Sequence, residues 1–163
     1  MKTLFLIRHA EAVEGGYHEP DFERLLTQHG VFSAVKTAEQ FKLQNWNIDL
    51  MLISPARRTE MTAKLISEQL SLPTEKLSYI EDLYNGTVRT LMRAINQVDA
   101  TVNHLAIVAH HPGIPYLAEM LTDQTVGYLQ PAGLIKIDFA IESWEEVSQG
   151  LGTLKAVIQE ENF

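Results

Sequence analysis

The stretch Lys2–Ile7, followed at once by Arg8-His9-Ala10-Glu11, constrains this chain more than any other. Thr3-Leu4-Phe5-Leu6-Ile7 is short, apolar and rich in branched and aromatic side chains. That pattern predicts a strand buried on both faces, as in a parallel sheet. The apolarity stops at Arg8. In open α/β sheets the carboxyl ends of the strands line the ligand crevice, so Arg8 and His9 belong at its edge. A permanently charged guanidinium beside an imidazole suits anion binding next to a nucleophile or base. Alone, such a pair is more often the start of a solvated loop; it gains meaning when other strand ends bring matching groups.

Two more runs do so. Ile48–Ile53 ends at Ser54-Pro55-Ala56-Arg57-Arg58, and His104–Ala109 ends at His110-His111-Pro112-Gly113. Between the runs lie helical patterns. Thr27 is a good N-cap for a helix carrying Val31, Ala34, Val35, Ala38 and Phe41 on its inner face. Ser54-Pro55 reads as a capping hydroxyl with proline at the first helical position. Thr59, Thr62, Ala63, Ile66 and Leu70 continue that helix to Leu72-Pro73. Leu77–Ile80 is a short strand, Glu81–Gly86 a loop, and Thr87 a cap for a helix burying Leu91, Ile95 and Val98. Ile114, Leu117, Ala118 and Leu121 mark one more helix. Gly133–Ile141 alternates between two faces and, with Gly150–Ile158, predicts antiparallel strands at a sheet edge. The order of elements predicts an α/β three-layer sandwich with a mostly parallel central sheet and antiparallel edge strands. One domain over residues 1–163 suits the length.

Charge and cysteine count narrow the chemistry. Thirteen Lys+Arg against twenty-one Asp+Glu give a net charge of -8, which argues against nucleic-acid or anionic-membrane partners. Any anionic substrate must then be held by local cations. With no cysteine, disulfides, a thiol nucleophile and thiolate zinc sites are excluded. The opening apolar run is too short for an export signal, and no segment approaches the ~20 apolar residues of a membrane span. The cytoplasm is the expected compartment.

If the three strong strands are parallel, Arg8, His9, Arg58 and His110 converge on one pocket. Two guanidinium forks suit a phosphoryl group. The motifs carry a specific resemblance. Leu6-Ile7-Arg8-His9-Ala10-Glu11 is similar to the Arg-His-Gly signature of the histidine phosphatase (phosphoglycerate mutase-like) superfamily, with Ala10 in place of the glycine. Leu26-Thr27-Gln28-His29-Gly30 resembles the family's Leu-Thr-x-x-Gly helix start. Ser54–Ala63 matches its Ser-Pro-x-x-Arg-Ala-x-x-Thr-Ala segment, which selects Arg58 over Arg57. Val108–Gly113 resembles Val-Gly-His-Asn-Pro-Gly, which selects His110. The short chain and Asp21, Arg24, Leu26 and Thr27, in the pattern Asp-x-x-Arg-x-Leu-Thr, are most similar to the small SixA-type phosphohistidine phosphatases.

That resemblance implies a metal-independent phosphatase without a cofactor. His9 would be the nucleophile, transiently phosphorylated, with Arg8, Arg58 and His110 forming the phosphate pocket. Larger relatives place an acidic residue before a glycine to protonate the leaving oxygen; Asp82 and Glu81, before Gly86, are the candidates. A weak acid site would favour phosphoramidates, whose imidazole leaves more easily than an alkoxide. The implied partner is a phosphorylated protein of the histidine phosphotransfer type. The alternatives are a phosphatase for small phosphorylated molecules and a non-catalytic phospho-ligand binding module. His111 and Ser54 are candidates for the pocket rim. Arg57, His18, His29, His104, Trp46, Trp144 and the pairs Glu145-Glu146 and Glu160-Glu161 read as surface or packing residues.

Overall fold

A computed structural model describes residues 1–163. Its centre is a six-stranded sheet in the order β3-β2-β4-β1-β5-β6. The strands are β1 (Lys2–Arg8), β2 (Leu50–Ile53), β3 (Leu77–Tyr79), β4 (His104–Ala109), β5 (Leu134–Phe139) and β6 (Thr153–Ile158). β1 to β4 run parallel, whereas β5 pairs antiparallel with both β1 and β6. The expected antiparallel flank is therefore present.

The four helices are α1 (Gln28–Leu43), α2 (Arg57–Gln69), α3 (Val88–Asn96) and α4 (Gly113–Thr122). Alternation along β1 sets the layers. Leu4 and Leu6 enter a core shared with Leu91 and Ile95 of α3 and Leu117 and Leu121 of α4. Phe5 and Ile7 face the other way, against Phe41 of α1 and Ile66 of α2. Trp144 is fully buried and donates its indole N–H to the Val102 carbonyl at 2.8 Å, so it is a packing residue as expected. No helix is long and apolar enough to cross a membrane.

Two local expectations need correction. α1 does start after Thr27, whose hydroxyl accepts from the Gly30 amide at 2.9 Å. Its buried face, however, is Gly30, Ser33, Ala34, Thr37, Ala38 and Phe41, while Val31 is exposed. Small side chains on that face let α1 lie close against its neighbours. Gly30 is needed there because a Cβ would stand 2.1 Å from the Glu11 carbonyl oxygen. The second correction concerns Ser54. α2 begins only at Arg57, and its N-cap position, Ala56, offers no side-chain bond. The Ser54 hydroxyl is instead engaged by His110, far away in sequence.

Candidate active site

Register places the site. Arg8 of β1 pairs opposite Ala109 of β4, and Ile53 of β2 opposite Val108. The residues that follow, His9, Ser54 and His110, therefore leave the sheet side by side. The His9 amide donates to the Ala109 carbonyl (3.0 Å) and the Ser54 amide to the Val108 carbonyl (3.1 Å). The structure thus brings Arg8, His9, Arg58 and His110 around one open cavity of about 380 Å³, together with Arg24, Tyr84, His111 and Gly113. Gly113 opens α4, so the positive end of that helix dipole also reaches the cavity wall.

His9 is held as a nucleophile would be. Its Nδ1 lies 2.7 Å from the Ala10 carbonyl oxygen. A carbonyl only accepts, so Nδ1 carries the proton and the neutral ring keeps its lone pair on Nε2. Ala10 is itself fixed, its amide donating to the Thr62 hydroxyl at 2.9 Å. It stands where the family has glycine, and its methyl packs with Leu26, Ala34 and Ala132. Burial pushes the His9 pKa down to about 3 against the opposing Ala10 bond, with His110, Arg58 and Arg8 adding to the fall. Burial, then Arg58, lowers His110 to about 4. Both rings, 5.5 Å apart, are neutral at pH 7.

The cations are held at one edge only. Arg8 Nη1 donates to the Leu129 carbonyl (2.7 Å) and the Tyr128 hydroxyl (3.1 Å). Arg58 donates from Nη1 to the Asp21 carbonyl (2.8 Å) and from Nη2 to the Asp21 carboxylate (3.0 Å). The Nε of both arginines is buried without a protein partner. Buried guanidinium N–H groups are rarely left so, and both arginines line the cavity. His111 also lines the cavity, with its Nδ1 buried and unpartnered and its ring 5.0 Å from Tyr128. Ser54 stands behind the wall, 2.7 Å from His110 Nε2.

The two candidates for a general acid lie away from the cavity. Glu81 and Asp82 are exposed, on a 3-10 turn beyond β3. Neither lines the cavity; Asp82 lines a separate cleft with Leu50, Thr90 and Arg93. The turn carries the chain past the strand end before Tyr84, Asn85 and Gly86 reach the cavity. Asp21 and Tyr84 are the residues sequence reasoning passed over. Asp21 was legible only as a letter of the Asp-x-x-Arg-x-Leu-Thr pattern, and Tyr84 carried no signal. No group of three or more histidine or carboxylate side chains is arranged to hold a metal ion.

Comparison with known proteins agrees with this geometry. Residues 4–104 match the model of the histidine phosphatase superfamily (branch 1). The chain belongs to that superfamily, and it is a phosphatase, a hydrolase with a histidine nucleophile. By sequence it matches no curated protein. Its fold is similar to that of the protein histidine phosphatase SixA complexed with tungstate, at 23% identity and a TM-score of 0.84, covering 98% of each chain. A protein of Nakamurella multipartitia, assigned as the phosphohistidine phosphatase SixA, aligns over 97% of this chain and 95% of its own. Its identity is 22% and its TM-score 0.83. An Escherichia coli protein assigned as an alpha-ribazole-5'-P phosphatase is more distant, at 17% identity, 96% coverage of each chain and a TM-score of 0.69.

Proposed function

We propose that this chain is a phosphohistidine phosphatase, removing the phosphoryl group from a histidine side chain of a phosphotransfer protein by way of phosphorylated His9. The observation that carries this reading is the cavity wall. It contains five cationic or imidazole side chains around His9 and no carboxylic acid. The nearby carboxyl, Asp21, is held at about 2, first by the Tyr84 hydroxyl and then by Arg24 and Arg58, so it stays ionised and cannot donate a proton near neutrality.

An alkoxide needs such a donor to leave. An imidazole does not, because transfer from one imidazole nitrogen to another exchanges two bonds of the same kind. In the first step His9 Nε2 bonds to phosphorus and the substrate's P–N bond breaks, returning that electron pair to the departing ring, which takes its proton from solvent. In the second, a water oxygen bonds to phosphorus, the P–Nε2 bond breaks, and inorganic phosphate leaves with neutral His9 restored. The guanidiniums of Arg8 and Arg58, with His110 beside them, would stabilise the equatorial oxygens, where phosphoryl transfer concentrates charge. The opening at the strand ends gives a protein-borne side chain access and offers few contacts to the rest of a small metabolite. The similar SixA structures are of protein histidine phosphatases, which supports the same reading.

The test is a panel at equal, subsaturating concentration: a phosphohistidine protein, phosphoserine and phosphotyrosine peptides, and sugar phosphates. Phosphohistidine protein is expected to lead by at least about tenfold in kcat/KM, a difference of only about 1.4 kcal/mol in transition-state binding. A faster sugar phosphate or nucleotide would replace this reading with that of a metabolite phosphatase. No turnover of any member, and no His9 adduct, would indicate a binding module.

A further inference from the structure

Asp21 belongs to the loop between β1 and α1, in the 3-10 turn Asp21–Glu23. Arg24 pins the base of that turn, donating from Nε to the Val13 carbonyl at 2.8 Å and from Nη1 to Asp21 Oδ1 at 3.0 Å. Asp21 Oδ2 receives both the Arg58 guanidinium (3.0 Å) and the Tyr84 hydroxyl (2.7 Å). Phe22 reinforces the junction, its ring packing edge-on against Tyr84 at 5.0 Å. The Tyr84 ring in turn meets His110 edge-on at 6.0 Å. One carboxylate therefore ties three separate segments, Asp21–Arg24, Arg58 and Tyr84, across the mouth of the cavity. Asp21 itself does not line it.

We propose that Asp21 is a positioning residue for the phosphatase reaction, clamping the outer edge of the Arg58 fork so that the guanidinium stays set beside the transferred phosphoryl group, and holding Tyr84 over His110. A long arginine side chain gives up much rotamer freedom when it is fixed. Here Asp21 fixes it twice, through carbonyl and carboxylate, before substrate arrives. Fixed in advance, Arg58 needs no reorganisation as charge moves onto the phosphoryl oxygens. The carboxylate also balances charge. Arg8, Arg24 and Arg58 with Asp21 carry a net charge of +2 around two neutral histidines, matching a phosphoryl dianion. An exposed ion pair serving stability alone would be worth little; this one joins a buried catalytic-wall arginine to two other segments.

The inference rests on the phosphatase reading, and the experiment separates the two. Turnover of an aryl phosphate and binding of tungstate are measured for wild type, Asp21→Ala, Asp21→Asn, Arg58→Ala and the pair Asp21→Ala/Arg58→Ala, with melting temperatures. Arg57→Ala, whose guanidinium pairs with Glu60 away from the cavity, serves as the control. Asp21→Ala is expected to lower kcat by about 10- to 100-fold, the scale of a small misplacement of a catalytic group. KM should rise only a few-fold, and tungstate should bind about tenfold more weakly. Asp21→Asn, which keeps an acceptor, should fall between. In the Arg58→Ala background, removing Asp21 should cost much less than in wild type, because the two act largely as one unit and only the Tyr84 contact remains to be lost. The inference is overturned if Asp21→Ala keeps kcat and tungstate affinity within twofold of wild type, or if its loss multiplies fully with that of Arg58→Ala. A wild type without turnover defeats the phosphatase reading instead, and the tungstate arm then decides the role of Asp21.

Discussion

The two ends of the parallel sheet make a controlled comparison. At the amino ends of β2, β3 and β4 lies the larger concavity, about 770 Å³, lined among others by Lys42, Trp46, Asp49, Lys76 and His104. It is polar, but its carboxylate is satisfied from within. Asp49 Oδ2 accepts the amides of Asn103 and His104 (3.0 and 2.8 Å) and lies 3.1 Å from the His104 ring. Trp46 packs on Phe5, 5.5 Å between centroids. At the carboxyl ends the cavity is about half that size, yet Arg8, Arg58 and His111 there each hold a buried nitrogen without a partner. Size does not mark the site. What marks it is stored electrostatic demand: cations and neutral histidines kept at a cost to the fold that only an anionic ligand offsets.

The sharpest way to break the comparison is to remove the proposed bond-making atom. His9→Ala is expected to reduce turnover on the order of 10,000-fold or more and to abolish the acid-labile phosphoenzyme. Phosphate or tungstate binding should be partly retained, because Arg8, Arg58 and His110, the proposed contacts of the anion, still line the cavity. Mass spectrometry of the trapped enzyme and single-turnover assays check both halves. Near wild-type turnover would overturn the assignment of His9.

A second contrast is in pH. The folded His9 and His110 sit at about 3 and about 4, against 6.5 when free. The unfolded chain therefore binds more protons than the folded one below pH 6.5, and stability must fall as pH drops. The loss begins near 6.5 and is complete for His110 near 4 and for His9 near 3. In phosphate-free buffer the expected decline is on the order of a few kcal/mol over this window. Urea titrations at pH 7 and pH 4.5 measure it, and the variant His9→Ala/His110→Ala should decline less. Turnover, by the same shifts, should show no step between pH 8 and 6, because the nucleophile stays unprotonated. A slope of stability unchanged by removing both histidines would place their burial outside the acid sensitivity.

How much of this was legible in the sequence follows from how local each cause is. β1 and β4 are continuous apolar runs, so their burial and their abrupt polar ends could be read directly, and with them Arg8, His9 and His110. Thr27 and Thr87 act on amides three residues away, again a local matter. Ser54 deceived because serine before proline has a valid local reading as a cap, and only the tertiary contact with His110 overrides it. In α1 the apolar pattern finds Ala34, Ala38 and Phe41 of the buried face, but apolar weight favours Val31 where close packing selects Gly30, Ser33 and Thr37. Asp21 and Tyr84 meet across sixty-three residues of chain, and nothing in the spacing of either one announces the other.

The smallest expected effect sharpens the comparison from the quiet end. Asp49→Ala removes a carboxylate that accepts two backbone amides at the start of β4, and it sits in the larger of the two concavities. If size made the site, this substitution would reduce activity. If stored demand makes it, the change touches stability alone. A half-exposed carboxylate that accepts backbone amides contributes roughly 1–2 kcal/mol, so the melting temperature should fall by a few degrees. Meanwhile kcat and KM on an aryl phosphate should stay within twofold of wild type. The separation is physical as well as spatial. The amides freed by the substitution face the open groove and can be taken up by water, and β4 between the two ends is held by ladders to both β1 and β2. The register that delivers His110 beside His9 therefore survives. A loss of activity well beyond twofold at unchanged stability would show that the amino end communicates with the cavity, and the two ends could no longer be treated as independent.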